Sequence, residues 1–217
     1  MKIFRRFPSI EQFRSVVKQV KDTSSYVGQD EEGKPIFDYT RKLPTITFTG
    51  TVKLHGTNAA IGYSKQEGLW CQSRERILSI EKDNAGFAFW VESNKEYWTD
   101  ILGSLVSPPF DYDTVMVYGE WAGGNIQKGV GLSETNKAFY PFYLEYTKEG
   151  GVVKKVTTPL VDTQDNWLYK EDIGVYAITT FETHQMDIDF NCPELVQNKL
   201  AEITEAVENE CPVAKYF

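Results

Sequence analysis

The chain has 217 residues, 41% of them hydrophobic and 25% charged, a composition able to bury a core in one domain or in one domain plus a small lobe. Its formal net charge of −8 argues against a protein that coats nucleic acid through a generally basic surface, while leaving room for a local basic groove. Cys71, Cys192 and Cys211 are far apart and odd in number, which reads as a set of reduced thiols, and two histidines without a Cys-x-x-Cys pair argue against a zinc site. The opening MKIFRRF is too short and too charged for a secretory signal, and no apolar run approaches the roughly 20 residues that span a bilayer.

In chain order, residues 8 to 21 predict an amphipathic helix opened by Pro8 and Ser9, with Ile10, Phe13, Val16, Val17 and Val20 at helical spacing. Residues 22 to 43 are polar and carry Gly28, Gly33 and Pro35, as a loop or loose hairpin does. Residues 45 to 53 and 58 to 64 read as strands around the run Lys53-Leu54-His55-Gly56-Thr57-Asn58, with Lys53 closing the first strand and Gly56 at the turn. Gly68 to Gln72 is a third strand leading into Ser73-Arg74-Glu75-Arg76. Between residues 80 and 106, Phe87, Phe89, Trp90, Tyr97, Trp98, Ile101 and Leu102 recur at helical spacing, as in one or two helices stopped by Pro108 and Pro109. Residues 113 to 119 form a buried strand ending at Glu120, followed by the glycine-rich loop Ala122 to Gln127. Residues 138 to 146 and 151 to 157 form a hairpin turning at Lys148-Glu149-Gly150, residues 173 to 180 a further strand, and residues 193 to 208 a closing helix. Hairpin-length connections outnumber crossovers, so the fold class is α+β with mostly antiparallel strands.

Several of these residues can carry chemistry. A lone lysine on a strand is usually a solvated edge residue, but one held in apolar surroundings can lose enough proton affinity to act as a nucleophile. A glutamate at a strand end offers the oxygen ligand that a hard cation such as Mg²⁺ prefers. Phe142 is either a core residue, by strand alternation, or a stacking surface. His184, between strand-like segments, reads as a surface or loop residue.

The run from Lys53 through His55, Gly56, Thr57 and Asn58 resembles motif I of the covalent nucleotidyltransferases: the ATP-dependent DNA and RNA ligases and the mRNA capping enzymes. The histidine, with Thr57 and Asn58, is most similar to the RNA ligase 2 family. Val117 to Gly123 resembles motif III, and Phe139-Tyr140-Pro141-Phe142 resembles motif IIIa, with Tyr143 where that family usually has aspartate. The resemblance implies an ATP-grasp-like nucleotidyltransferase domain with flanking helices, residues 1–217 forming a single adenylylation domain. It implies Lys53 as the nucleophile that carries AMP, with Val52, His55 and Asn58 beside the nucleotide. Arg74 contacts the ribose and the 5′-phosphate of RNA, with Arg76 as its alternate. Glu120 lies by the ribose and a catalytic Mg²⁺, or Mn²⁺; Gln127 contacts RNA or phosphate, and Phe142 stacks on adenine.

The activity so implied is an ATP-dependent RNA ligase that seals 3′-hydroxyl and 5′-phosphate ends in RNA repair, away from membranes, in the cytoplasm (the host's, if the chain is phage-encoded). The alternatives are a non-catalytic or partner-dependent nucleotide- or RNA-binding remnant of the fold, and a DNA ligase-type nucleotidyltransferase. Glu149-Gly150-Gly151-Val152-Val153 imitates motif IV, but it follows Glu120 too soon and reads as an ordinary hairpin turn. No motif IV glutamate or motif V Lys-x-Lys is found, so the expected domain is incomplete at its C-terminal side: truncated, completed by a separate segment, or reduced in activity.

Overall fold

A computed structural model describes residues 2–148, 151–157 and 169–217. The elements are α1 (Phe13–Ser25), β1 (Tyr26–Gln29), β2 (Pro35–Phe37), β3 (Thr45–Gly50), β4 (Thr57–Ser64), β5 (Gly68–Ser73), α2 (Phe87–Ser93), α3 (Lys95–Leu105), β6 (Thr114–Ala122), β7 (Ala138–Lys148), β8 (Gly151–Thr157), β9 (Tyr169–Lys170), β10 (Val175–Tyr176), β11 (His184–Asp189), α4 (Gln197–Asn209) and α5 (Pro212–Tyr216). The fold is α+β, and apart from the parallel pair β10–β7 the strand pairings are antiparallel. No helix among the described residues is long and apolar enough to cross a membrane.

Contacts divide the chain into two compact units. One comprises Pro8–Thr51 and Thr183–Cys211. Its α1 begins at Phe13 and not at Pro8, because Ile10 is 82% exposed and has nothing to pack against, whereas Phe13, Val16, Val17 and Val20 are half-buried. Strands β1 and β2 form the loose hairpin expected between residues 22 and 43. Strand β3 pairs with β11 from Thr45↔Asp189 to Gly50↔His184, so His184 opens a strand and does not sit in a loop. Asn191 fastens the far end: it accepts from the Leu43 amide and donates to the Leu43 carbonyl, each at 2.9 Å.

The other unit comprises Met1–Phe7, Val52–Glu182 and Pro212–Phe217. Its sheet runs β5-β4-β6-β7-β10-β9, with β8 added to β7. Of the one or two helices expected between residues 80 and 106, two form, α2 and α3, with Phe89 of the expected apolar set left exposed. Their Phe87, Val91, Trp98 and Leu102 pack with Ile61, Val115, Val117, Trp121 and Phe139 on one sheet face. On the opposite face Ala60, Trp70, Met116, Tyr118 and Tyr143 form a second cluster, joined by Phe7 and Phe142.

Three further expectations change. The strand predicted over 173–180 shrinks to β10, because Gly174 turns the chain at φ 73° and residues 178–180 close a 3₁₀ turn. Glu120 does not end its strand but lies inside β6, which continues to Ala122. The strand before the lysine stops at Gly50, and Lys53 lies in irregular chain between β3 and β4, which pair with different partners. The expected hairpin is present as β7–β8, while its turn residues Glu149 and Gly150 lie outside the described residues.

Gly62 gives a test of this packing. A Cβ there would stand 2.3 Å from the Trp70 ring and 2.6 Å from the Met116 sulfur, both in a well-filled cluster. Gly62→Ala is expected to lose about 1–3 kcal/mol of stability, read as a lower urea midpoint with an unchanged slope.

Candidate functional site

All the residues singled out in the sequence for nucleotide or phosphate chemistry belong to the unit built on the seven-stranded sheet. The lysine segment crosses one end of the central strands. Along it Val52 and Leu54 are buried while Lys53 and His55 are exposed, so the segment is rooted by its apolar residues and presents its basic ones. The enclosure expected for Lys53 is therefore not found.

The segment is held through Gly56. Its amide donates to Glu120 Oε1 at 2.9 Å, and its carbonyl accepts a long bond of 3.4 Å from Gln127 Nε2. The backbone passes so close to β6 that a Cβ on Gly56 would stand 2.3 Å from the Trp121 carbonyl oxygen and 2.7 Å from the Ala122 Cβ. Glycine is required here for room, whereas the sequence suggested only a turn. Next in the chain, the Thr57 hydroxyl accepts from Asn84 Nδ2 at 2.9 Å, tying this strand end to the loop before α2. Sequence reading missed Asn84. The signal for it is faint: polar residues of a loop that precedes a helix whose first amides Asp83 already satisfies, at 2.7 Å to Ala88 and 3.1 Å to Phe89.

Glu120 is the centre of the electrostatics. It pairs with Asn58 of β4 on one side and Tyr140 of β7 on the other, so two strand ladders fix its position. Burial is the largest influence on its carboxyl and pushes it above the usual carboxylate range. The Gly56 N–H, and then the positive charges of Lys53 and Arg74, oppose that shift without cancelling it. The charges of Lys53 and Arg74 thus act on the Glu120 carboxylate, although the three residues are far apart in sequence. Arg74 and Arg76 lie exposed just beyond β5, and Arg76 donates to the Asp83 carbonyl at 3.4 Å.

Period-two alternation puts Asn58, Tyr118 and Glu120 on the sheet face opposite the helices. Phe142 reaches that face by another route. Tyr118 pairs with Tyr143 and Gly119 with Pro141, so Phe142 is the extra residue of a β-bulge and shares a face with its neighbour Tyr143. It is half-buried, between the core and stacking readings that the sequence left open.

Glu120 keeps one carboxylate oxygen beyond the one bound to Gly56. A single carboxylate suits Mg²⁺, which retains waters and takes substrate phosphate oxygens for the rest of its shell. Among the described residues no cluster of three or more His, Cys, Asp or Glu side chains could hold a metal by itself. A cleft of about 970 Å³ on the same unit, bordered by Trp90, Lys137, Asp172 and Phe217, includes none of the residues above.

A family model described as RNA ligase matches residues 46–203, a span that contains every one of these site residues. Among solved structures, Naegleria gruberi RNA ligase with PPi is similar at 16% identity, covering 72% of this chain and 46% of that one, with a TM-score of 0.38. The chain thus spans about half the length of that relative. No curated protein matches.

The state of Glu120 can be read from stability alone. Because its folded value lies above the ordinary 4.5, the unfolded chain ionises first as pH rises, so this group destabilises the fold progressively from about that pH upward. Glu120→Gln keeps an acceptor for Gly56 and removes the charge. Its melting temperature is expected to exceed the wild type's by about 1–3 °C near neutral pH, the gain vanishing at pH values below 4.5, as followed by thermal unfolding across a pH series.

Proposed function

The chain belongs to the RNA ligase family, and from that premise we propose that it is an ATP-dependent RNA ligase that carries AMP on Lys53 and joins RNA 3′-hydroxyl and 5′-phosphate ends. The observation that supports this best is the hydrogen bond by which Glu120 holds the lysine segment through Gly56, the charges of Lys53 and Arg74 acting on the same carboxylate.

In this reading the neutral amine of Lys53 attacks the α-phosphorus of ATP. A phosphorus–nitrogen bond forms, the bond to the β-phosphate oxygen breaks, and pyrophosphate leaves. The exposed lysine gives up its proton to solvent. Glu120 fixes the backbone that carries the nucleophile and turns its free oxygen towards the ribose or a divalent cation. Mg²⁺, or Mn²⁺, held there with phosphate oxygens would neutralise charge on the leaving group. Phe142 offers its ring to adenine, and Val52, His55 and Asn58 line the nucleotide. AMP then passes to the 5′-phosphate of an RNA, received by Arg74 with Arg76 and Gln127 nearby. A 3′-hydroxyl displaces the AMP and seals the strand. The demand throughout is for positioning and charge stabilisation. With a net charge of −8, contacts to RNA are local, which fits a protein that binds ends in the cytoplasm during RNA repair.

The test is incubation with ATP labelled at its α-phosphate and Mg²⁺, followed by a denaturing gel. The wild type is expected to take a covalent label that Lys53→Ala abolishes and that Glu120→Ala slows on the order of 100-fold. A folded wild type that takes no label would count against the proposed activity of this chain by itself. Sealing of nicked RNA in preference to nicked DNA then checks the substrate class.

A further inference from the structure

The segment before the first helix is fastened to the sheet face that carries Glu120 and Phe142. Residues 2–7 have no regular structure, yet Arg5 is held at three points. Gln72 accepts from the Arg5 amide at 3.2 Å and donates to its carbonyl at 2.6 Å, imitating a neighbouring strand. The Tyr118 hydroxyl donates to the same carbonyl at 3.1 Å. The Arg5 guanidinium pairs with Glu145 at 2.8 Å, with side-chain exposures of only 18% and 12%. Gln72 and Tyr118 are each 1% exposed, so buried polar groups of the sheet are satisfied by this segment.

Two residues on, the Phe7 ring stands 5.4 Å from Tyr118, 5.3 Å from Tyr143 and 5.1 Å from Phe142, the last two in edge-to-face contact. Phe142, as the bulge residue, has no directly opposed partner on β6 to fix its ring. The geometry points to Phe7 as a positioning residue for the nucleotide base: clamped by Arg5, it sets the tilt of the Phe142 ring and thereby the adenine platform. This rests on the adenylyl-transfer reading above and adds to it a part of the chain that the lysine, arginine and glutamate motifs do not include.

The experiment compares wild type, Phe7→Leu and Phe7→Tyr in the full chain, measuring the KM for ATP and the rate constant at saturating ATP for labelling of Lys53, with melting temperatures alongside. Phe7→Leu fills the space without a ring, and its KM is expected to rise about 3- to 10-fold while the rate constant stays within about twofold. Phe7→Tyr keeps the ring and should restore the wild-type KM. An unchanged KM in Phe7→Leu overturns the inference, as does a common loss in KM and rate constant that Phe7→Tyr fails to restore. Where the wild type takes no label, ATP binding by calorimetry carries the same comparison. Weaker binding by Phe7→Leu upholds the role of Phe7 while the transfer reading falls; equal binding, or none by the wild type, overturns it.

Discussion

The peptide of Gly56 lies against the backbone of β6 with no room for a methyl group, and its amide is bound by Glu120. That contact governs where the lysine can be. The chain between β3 and β4 has no ladder of its own, so its path is set by Val52 and Leu54 beneath it and by Glu120 and Gln127 beside it. Glu120 can act as a fixed point because β6 is flanked by β4 and β7, each paired along its length. A side chain in mid-sheet moves less than one on a loop, and a hydrogen bond from it transfers that rigidity to the backbone it holds.

The same glutamate carries an electrostatic conflict. Burial favours its neutral form; the Gly56 amide and the charges of Lys53 and Arg74 favour the ionised one. Burial wins in the chain as it stands, which costs the fold some stability and leaves the carboxylate short of positive charge. A divalent cation or a further basic group beside it would relieve the conflict. Sites that sacrifice stability in this way are common where a charge is needed for chemistry.

Part of this was legible in the sequence. The pair α2 and α3 follows from the helical spacing of the residues it buries, and β6 from a continuous apolar run covered on both faces; the hairpin β7–β8 follows from two strand-like runs joined by a short turn. Lys53, Arg74 and Glu120 stood out by residue type and order. What was hidden depends on contacts between distant segments. The start of α1 is decided by where Phe13 finds cover, not by Pro8. The exposure of Lys53 depends on β3 and β4 taking different partners, which a pattern of two apolar runs does not reveal. The bulge at Phe142 is a mismatch between two strands and leaves no mark on either alone. Gln72 and Arg5 lie 67 residues apart in sequence, and neither residue type announces the bond between them.

Strand β6 serves the core and the site at once, with Val115, Val117 and Trp121 turned to the helices and Met116, Tyr118 and Glu120 to the opposite face. A single-residue insertion or deletion here would exchange the two sets, burying a carboxylate among indoles and turning Trp121 outward. This strand therefore tolerates substitution but hardly a change of length, whereas β7 holds an extra residue at Phe142 as a bulge. Across relatives, length variation should be sparse between residues 114 and 122 and the drift of base-side chemistry should concentrate on the strand next to it.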